Sequence, residues 1–218
     1  IRAGDTWSLK TFQLGIRDNW KYMSEYADGV PRLDVCKPDE NGSYALSWPL
    51  SKKTISYRWD RNVEDGKVIV KYKYLIGNPI VWFSIVGGII LSVGLIISRY
   101  VYNNPIKDEK LFYWICAFTG LYICYMTTIL QIERVMYLYH YFIALIFGAI
   151  NLALIYTYIY RDEVIANNKH TIINTALFAA LVIAVFAFFS PFTYGFGLTE
   201  DQFEMRNWFE FWKLQVVR

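Results

Sequence analysis

The stretch LIGNPIVWFSIVGGIILSVGLIIS, Leu75–Ser98, contains 24 residues without a charged side chain. A helix needs about 20 apolar residues to cross the hydrocarbon layer of a bilayer. Three further runs follow, each with at least 22 uncharged residues: Leu111–Ile132, Val135–Tyr160 and Thr171–Thr199. The sequence therefore predicts four transmembrane helices, over about residues 79–98, 111–132, 136–160 and 171–190.

The overall composition favours a membrane protein over a water-soluble one. Hydrophobic residues make up 55% of the 218-residue chain and charged residues 19%, which is more apolar than soluble domains usually are. A soluble helical core would also need a polar face on each helix, and these runs have none. We therefore predict an all-α membrane protein with a small mixed extramembrane cap over residues 1–74, four transmembrane helices within 75–199 and a tail over 200–218.

Charge and metal-binding residues argue against two classes of partner. The net charge is +3 and the basic residues are scattered, so a nucleic-acid-binding surface is not indicated. Two histidines, His140 and His170, are too few for a histidine-rich metal site, and we expect no bound metal. Cys36, Cys116 and Cys124 show neither a disulfide framework nor zinc-ligand spacing.

The predicted cap begins with an amphipathic segment, SLKTFQLGIRDNWKYMSEYA, over Ser8–Ala27. Its apolar residues recur at three- and four-residue intervals, which favours a helix. These residues are Phe12, Ile16, Trp20 and Met23. After a proline-rich loop, the alternating segments TISYRW and VIVKYKYL flank Asp65–Gly66 and predict a β-hairpin.

Basic residues in the short loops predict the orientation of the chain. The loop Arg99–Lys110 carries three Lys or Arg residues and the loop Arg161–His170 carries two, so we expect both loops on the cytoplasmic side. The intervening loop has only Arg134, which we expect Glu133 to neutralise. The cap, this loop and the tail then share the non-cytoplasmic side.

Polar and charged groups cluster in IERVMYLYHYFIAL, Ile132–Leu145, where the third membrane helix is expected to begin. A charge near hydrocarbon costs on the order of a few kcal/mol unless it is paired or hydrated. One interpretation is a neutral Glu133–Arg134 pair within an aromatic belt of tyrosines. The other is that Arg134 binds the phosphate of a lipid-linked substrate, because a guanidinium group offers phosphate a rigid bidentate fork.

His140 lies in the same stretch and has two open roles. If the helix starts near Val135, His140 shares one face with Tyr137, Tyr141 and Ala144. An imidazole at this depth needs a hydrogen-bond partner or a wet cavity. Structural hydrogen bonding and substrate contact both satisfy that need.

Two further motifs mark the ends of predicted helices. In GNPIVWF, Asn78 and Pro79 have the residue types of an N-cap and a first helical position, and Trp82 is suited to an interfacial anchor. In FFSPFTYGFGLT, Pro191 and Gly195 indicate a bent exit from the last helix.

Taken in chain order, four motifs resemble one known family. They are SYALSWPL, GNPIVWF, ERVMYLYHYFIAL and FFSPFTYGFGL, followed by a tryptophan in the tail. They are similar to the C-terminal membrane part of the protein O-mannosyltransferases of the GT-C superfamily, over about Ser43–Trp212. The resemblance implies a four-helix unit of an enzyme that transfers mannose from polyprenyl- or dolichyl-phosphate mannose to Ser or Thr of proteins.

The resemblance also implies where the site lies. It assigns Arg134 and His140, with Tyr139 and Tyr141, to the wall that contacts the lipid phosphate. The residues implied to support this cavity are Glu133, Trp48, Asn78, Trp82 and Tyr194, with Trp48 on the loop near the acceptor.

Two departures from the family pattern limit what can be carried over. Ile143 stands where the family has proline. The acidic pair of the family's first outer loop has no counterpart, so no catalytic residue is identifiable in this chain. The acids of the cap, Asp28, Asp34, Asp39 and Glu40, lie in or beside its loop and are expected to be solvated.

The partners and compartment follow from the resemblance alone. It implies membrane lipids, the lipid-linked sugar donor, an acceptor protein and other subunits of a membrane complex as partners, with no cofactor beyond the donor. The short cap is more similar to bacterial members than to fungal or animal ones. This favours the bacterial plasma membrane, with the endoplasmic reticulum membrane as the alternative.

Two functions from different classes stay open. One is the C-terminal portion of the glycosyltransferase, and the other is a non-catalytic membrane subunit descended from it. A transporter or channel gains little support, because the apolar runs contain no acidic residues. The chain opens at Ile1 within a polar segment, which is typical of the later part of a longer polypeptide, and the preceding sequence would decide between the two.

Overall fold

Four long apolar helices dominate the computed structural model, which describes residues 8–29, 31–34, 36–37, 40–64 and 67–215. The membrane helices are α2 (Pro79–Tyr100), α3 (Glu109–Leu130), α4 (Phe142–Ile165) and α5 (Lys169–Tyr194). Helix α1 (Leu9–Gly29) and the strands β1 (Ile55–Glu64) and β2 (Lys67–Leu75) precede them. Strand β3 (Gly197–Leu198) and helix α6 (Glu200–Glu204) follow. Turns of 3-10 helix cover Ala45–Leu50, Leu138–Tyr141 and Glu210–Trp212.

All four apolar segments are long and apolar enough to cross a membrane. The predicted fold class is therefore confirmed: the chain is an integral, multi-pass membrane protein. Polar side chains cap the helices where they leave the apolar zone, since Asn78, Asp108 and Asn168 each accept hydrogen bonds from first-turn amides. At the other end of α5, Gly195 adopts φ +70, a left-handed conformation that suits glycine.

Helices α4 and α5 extend beyond their predicted ends. Helix α4 runs to Ile165 and includes the charged residues 161–163, and α5 runs through Pro191 to Tyr194. Hydropathy marks the part of a helix that lies in lipid, whereas the helical backbone continues into the polar layers.

Helix α4 also begins later than predicted, at Phe142 rather than 136. The Val135 amide donates to the Pro31 carbonyl (2.9 Å), and the Met136 carbonyl accepts from the Ser43 amide (2.8 Å). A helix starting at 136 would pair the Met136 carbonyl with the His140 amide, which instead donates to Tyr137 (3.0 Å), and the chain stays non-helical from Ile132 to Tyr137. The expected helical face of Tyr137, His140, Tyr141 and Ala144 is therefore wrong: Tyr141 and Ala144 are buried, whereas His140 is half-buried.

Helices α2, α3 and α4 pack around a buried polar contact. The Asn151 amide on α4 donates to the Ser92 hydroxyl on α2 (2.8 Å), and the Thr119 hydroxyl on α3 donates to Asn151 (3.4 Å). Ser92 in turn donates to the Gly88 carbonyl (2.8 Å). In an apolar medium these side chains have no water to bind, so the contact fixes the register of the three helices.

The cap is built on the predicted hairpin. Strands β1 and β2 pair antiparallel, with a bulge between Ser56 and Arg58, and β3 extends the sheet beyond β2. The predicted turn at Asp65–Gly66 lies outside the described residues. Alternate β2 residues are buried against aromatic side chains of α5, α6 and the tail. They are Val70, Tyr72 and Tyr74, facing Phe189, Phe192, Phe203 and Trp212.

The tail is joined to the cap by hydrogen bonds. The Lys53 amide donates to the Phe211 carbonyl (2.9 Å) and the Thr54 amide to the Trp212 carbonyl (3.0 Å). The buried Tyr74 hydroxyl donates to the Gln215 carbonyl (3.0 Å), and burial raises its pKa. Cap and tail thus lie at the same end of the bundle. The division at residues 74 and 199, and which side of the membrane this end faces, stay predictions.

Asn151→Ala should destabilise the helix bundle by about 1–2 kcal/mol, because it removes two interhelical hydrogen bonds and leaves a small void. The measurement is the thermal midpoint in detergent, followed by fluorescence-detected size exclusion. Asn174→Ala, at an exposed position of α5, is the matched control and should leave the midpoint unchanged. Equal midpoints for the two variants would contradict the structural role of the contact.

Candidate functional site

The candidate site lies at the rim, defined here as the segment 131–141 between α3 and α4 together with the cap loop 31–50 that covers it. Arg134 is half-buried there. It lines a cavity of about 270 Å³ formed where the cap loop meets the end of α3. Other residues of its wall are Arg32, Ser43, Tyr44, Ile129 and Met136. A crevice therefore reaches the Arg134 side chain.

Glu133 is not the partner of Arg134. Its carboxylate lies 2.5 Å from the guanidinium of Arg32, and both of these side chains are exposed. Within the described part of the chain, no carboxylate or hydrogen-bond acceptor is found for the Arg134 guanidinium. The expected Glu133–Arg134 neutralisation is thus wrong, because an arginine from the cap takes the carboxylate.

The His140 imidazole closes the 3-10 turn ahead of α4. Its Nδ1 lies 3.2 Å from the Tyr137 amide nitrogen and 3.0 Å from the Tyr137 carbonyl oxygen. The ring stacks on Tyr139, with centroids 4.4 Å apart, and on Trp48, at 6.2 Å. Structural hydrogen bonding thus occupies Nδ1, whereas Nε2 has no hydrogen-bond partner among the described residues.

Two tryptophans join the rim to the membrane helices. The fully buried Trp48 donates its indole N–H to the Ser43 hydroxyl (2.9 Å), and its carbonyl accepts from the Trp82 indole (2.8 Å). Trp82 packs on Tyr141, with centroids 5.5 Å apart. The Tyr141 hydroxyl is paired with that of Tyr122 at 2.9 Å. Trp48, His140 and Tyr141 of the rim therefore form one aromatic cluster with Trp82 of α2.

Gly77 gives Trp82 the space for this contact. A Cβ atom placed on Gly77 would lie 2.0 Å from the Trp82 ring. The neighbouring Asn78 caps α2 and donates its amide to the Val182 carbonyl (2.9 Å), which links α2 to α5. Each residue of the Gly-Asn-Pro motif thus has a structural role. Gly77 leaves space for the Trp82 indole, Asn78 caps α2 and Pro79 is its first residue.

The remaining predicted site residues are less closely grouped. Tyr139 is exposed and stacks on His140. Tyr194 is exposed at the end of α5, where its ring contacts are Phe186 and Phe196. The structure brings Tyr194 into no described contact with Arg134 or His140.

The described acidic residues of the cap loop form local turns, and the described residues form no metal-binding cluster. Asp34 accepts from the Cys36 amide and Glu40 from the Gly42 amide, so both carboxylates serve local turns. Asp39 and the side chain of Asp28 lie outside the described residues. Among the residues that are described, no group of three or more His, Cys, Asp or Glu side chains could hold a metal ion.

Sequence reasoning missed two arginines with defined partners. Arg32 binds Glu133 from about 100 residues away in the chain, a distance that no local pattern signals. Arg206 in the tail donates to the carbonyls of Phe188 and Gln202 (both 2.7 Å) and lies over the Phe188 ring. Arg206 thereby ties the tail to the end of α5.

The family model described as the C-terminal four transmembrane region of protein O-mannosyltransferase matches residues 19–212. The chain belongs to this family. The match includes the rim, the aromatic cluster and all four membrane helices.

Three fungal proteins and one solved structure are similar to the chain. Dolichyl-phosphate-mannose–protein mannosyltransferase 1 of Saccharomyces cerevisiae is 28% identical over 82% of this chain and 22% of its own length. Mannosyltransferase 5 of Candida albicans is 27% identical over 98% of the chain and 30% of its own length. Mannosyltransferase 1 of Schizosaccharomyces pombe is 26% identical over 73% of the chain and 18% of its own length.

The solved structure is the S. cerevisiae protein O-mannosyltransferase Pmt1-Pmt2 complex bound to the sugar donor. It matches with a TM-score of 0.60 and 26% identity, over 79% of this chain and 24% of the matched chain. The chain thus spans between about a fifth and a third of the length of the relatives it matches. These relatives are fungal, and the expected bacterial plasma membrane gains no support from them.

Gly77→Ala should lower stability by about 1–3 kcal/mol, because the added methyl group must displace the Trp82 ring. The thermal midpoint in detergent measures the effect. Gly87→Ala is the matched control in α2, where an added Cβ meets nothing within 4 Å; it should be neutral or stabilising. A Gly77 variant as stable as this control would show that Trp82 packing does not constrain position 77.

Proposed function

We propose that the chain forms the lipid-phosphate-binding part of a mannosyltransferase that moves mannose from polyprenyl- or dolichyl-phosphate to Ser or Thr of an acceptor protein. One observation carries the proposal: Arg134 is a half-buried arginine without a described carboxylate partner, beside a cavity at the membrane rim. Family membership and the donor named for the relatives support the same substrate.

The electrostatics of the cavity suit an anion. Arg32 and Arg134 bring two positive charges and Glu133 one negative charge, so these three residues leave a net charge of +1. The Arg32–Glu133 pair is exposed and contributes little by itself. It nevertheless keeps the carboxylate away from Arg134, whose planar guanidinium can hold two phosphate oxygens.

The reaction defines what this site must do. The bond between mannose C1 and the phosphate oxygen breaks, a bond from the acceptor hydroxyl oxygen to C1 forms, and the hydroxyl proton passes to a base. The electron pair of the broken bond remains on the lipid phosphate, which becomes more negative. Arg134 would stabilise this leaving group through charge-assisted hydrogen bonds. The base is a carboxylate that none of the described residues of this chain supplies in a recognisable position.

His140 is proposed to complete the phosphate wall from its free edge. If Nδ1 accepts from the Tyr137 amide, the neutral ring carries its proton on Nε2, which can then donate to an anion. The stacking of His140 on Tyr139 and on Trp48 restricts the plane of the ring. Tyr139 and Tyr141 would shape the wall, with Glu133, Trp48, Asn78, Trp82 and Tyr194 in support.

Side, compartment and partners belong to the same proposal. The loop charges favour the non-cytoplasmic side for the cap, the rim and the tail. The short cap favours the bacterial plasma membrane, against the fungal origin of the relatives reported above. Because the solved neighbour is a two-protein complex, a second subunit is a further proposed partner, besides the acceptor protein.

A non-catalytic subunit is the second candidate function. The observation in its favour is that Glu133, a carboxylate that lines the rim cavity, is bound to Arg32 and is unsuited to act as a free base. Such a subunit would retain the fold and the rim but would transfer no mannose in the absence of another chain.

Arg134→Ala in the complete polypeptide should lower mannose transfer from the lipid-linked donor at least 100-fold, since losing a charged partner of a phosphate costs about 3 kcal/mol. Transfer to an acceptor peptide in detergent is the measurement. Arg134→Lys should retain part of the activity, because lysine keeps the charge but not the bidentate geometry.

Arg99→Ala, at the opposite end of α2, is the matched control and should keep full activity. Wild-type turnover by Arg134→Ala would remove this residue from the site. Absence of transfer by the wild-type complete polypeptide alone, together with unchanged turnover by Arg134→Ala once a second subunit is added, would favour the non-catalytic alternative.

A further inference from the structure

Helix α1 carries one continuous apolar face that the described structure leaves uncovered. Five side chains fall within an arc of about 80° when 100° is counted per residue. Each of them is between 54% and 76% exposed: Leu9, Phe12, Ile16, Trp20 and Met23. An exposed apolar stripe of this size marks a surface that meets a partner or a membrane.

The charged residues of α1 occupy a separate face. They fall within an arc of about 100°, centred nearly opposite the apolar stripe. The five with described side chains are Lys10, Arg17, Asp18, Lys21 and Glu25, and Asp28 is the sixth in the sequence. Exposed ion pairs join Arg17 to Asp18 and Lys21 to Glu25. A charged face opposite a face with Trp, Phe and Leu is the pattern of helices that lie in a membrane interface.

The end of α1 is fixed at the rim. The helix ends at Gly29, and two residues later the Pro31 carbonyl accepts the Val135 amide beside the end of α3. The next residue, Arg32, is paired with Glu133. The exposed apolar side chains of Leu130 and Ile132 lie in the same part of the rim. The lipid-facing surface of α3 therefore adjoins the point from which α1 extends.

We propose that α1 lies along the membrane surface, with its apolar face in the boundary between headgroups and acyl chains. Its 21 residues span about 31 Å along that surface. Three basic and three acidic residues within Leu9–Gly29 give it no net charge. The burial of apolar surface, rather than attraction to anionic lipid, therefore drives the contact, and neutral phospholipid suffices.

This placement would set the depth of the rim cavity. Helix α1 is followed by Pro31 and Arg32, which bind Val135 and Glu133. If α1 lies at the headgroup boundary, these contacts keep Arg134 near the level of the lipid phosphates. That consequence rests on the proposed function, whereas the position of α1 does not.

Spin-label accessibility in nanodiscs of neutral phosphatidylcholine tests the position directly. The complete polypeptide would have Cys36, Cys116, Cys124 and any cysteine outside the present sequence replaced by serine or alanine. It would carry Ile16→Cys on the apolar face or Lys21→Cys on the charged face. Oxygen concentrates in lipid and a water-soluble nickel chelate in water. For the label at position 16, we expect oxygen collisions to exceed nickel collisions about fivefold, with the opposite preference at position 21.

Two results would overturn the proposal. Low collision rates with both reagents at position 16 would show that protein covers the apolar face, and frequent nickel collisions would show that water does. Met23→Cys on the same face provides an independent label if Ile16→Cys does not fold, and the same expectation applies to it. Mannose transfer is not part of this readout, so the position of α1 and the proposed function fail separately.

Discussion

The rim depends on two backbone hydrogen bonds that hold Val135 and Met136 against the cap. Between the end of α3 and the start of α4, the chain leaves helical geometry close to the hydrocarbon layer, where unpaired amides and carbonyls are costly. Pro31 and Ser43 supply the missing partners. The non-helical segment that results keeps Arg134 out of both helices and places it beside the cap loop, next to a cavity.

Sequence patterns predict the membrane helices but not the non-helical segment between α3 and α4. Long uncharged runs predict spans because lipid offers no alternative partner for polar groups, and Asn78 predicts a cap because its residue type and position suffice. The start of α4 has no such signal, since the chain is uncharged from Val135 to Tyr160. Its late start is imposed by residues some hundred positions earlier. The predicted partner of Glu133 is wrong for the same reason. Adjacency in the chain suggests Arg134, whereas the ion pair in the structure is with Arg32.

The motifs predict which residues lie together, but not the geometry of their contacts, and their role in a site stays a prediction. Trp48, Trp82, His140 and Tyr141 come from three separate motifs and meet in one cluster, so the motifs correspond to a packed unit. Within it the roles differ: Tyr141 is buried and bonded to Tyr122, whereas His140 keeps one ring edge free. The two interpretations of His140 are therefore compatible, because Nδ1 stabilises the turn while Nε2 has no described hydrogen-bond partner. Tyr194 comes from the fourth motif and lies at the end of α5, where its ring contacts Phe186 and Phe196 rather than this cluster.

Exposed apolar surface has different meanings at different depths of this protein. Only 11% of the apolar stretch of α5 is buried within the protein, against 28% of that of α3. Lipid can cover the remaining surface without cost, because acyl chains are as apolar as the side chains. Hydropathy cannot distinguish a lipid-facing side of α5 from one that meets another helix. Helix α1 differs, since it belongs to the cap and carries charges along one side. Its apolar face would cost free energy in water, so the same kind of exposure that is neutral in α5 demands a partner in α1.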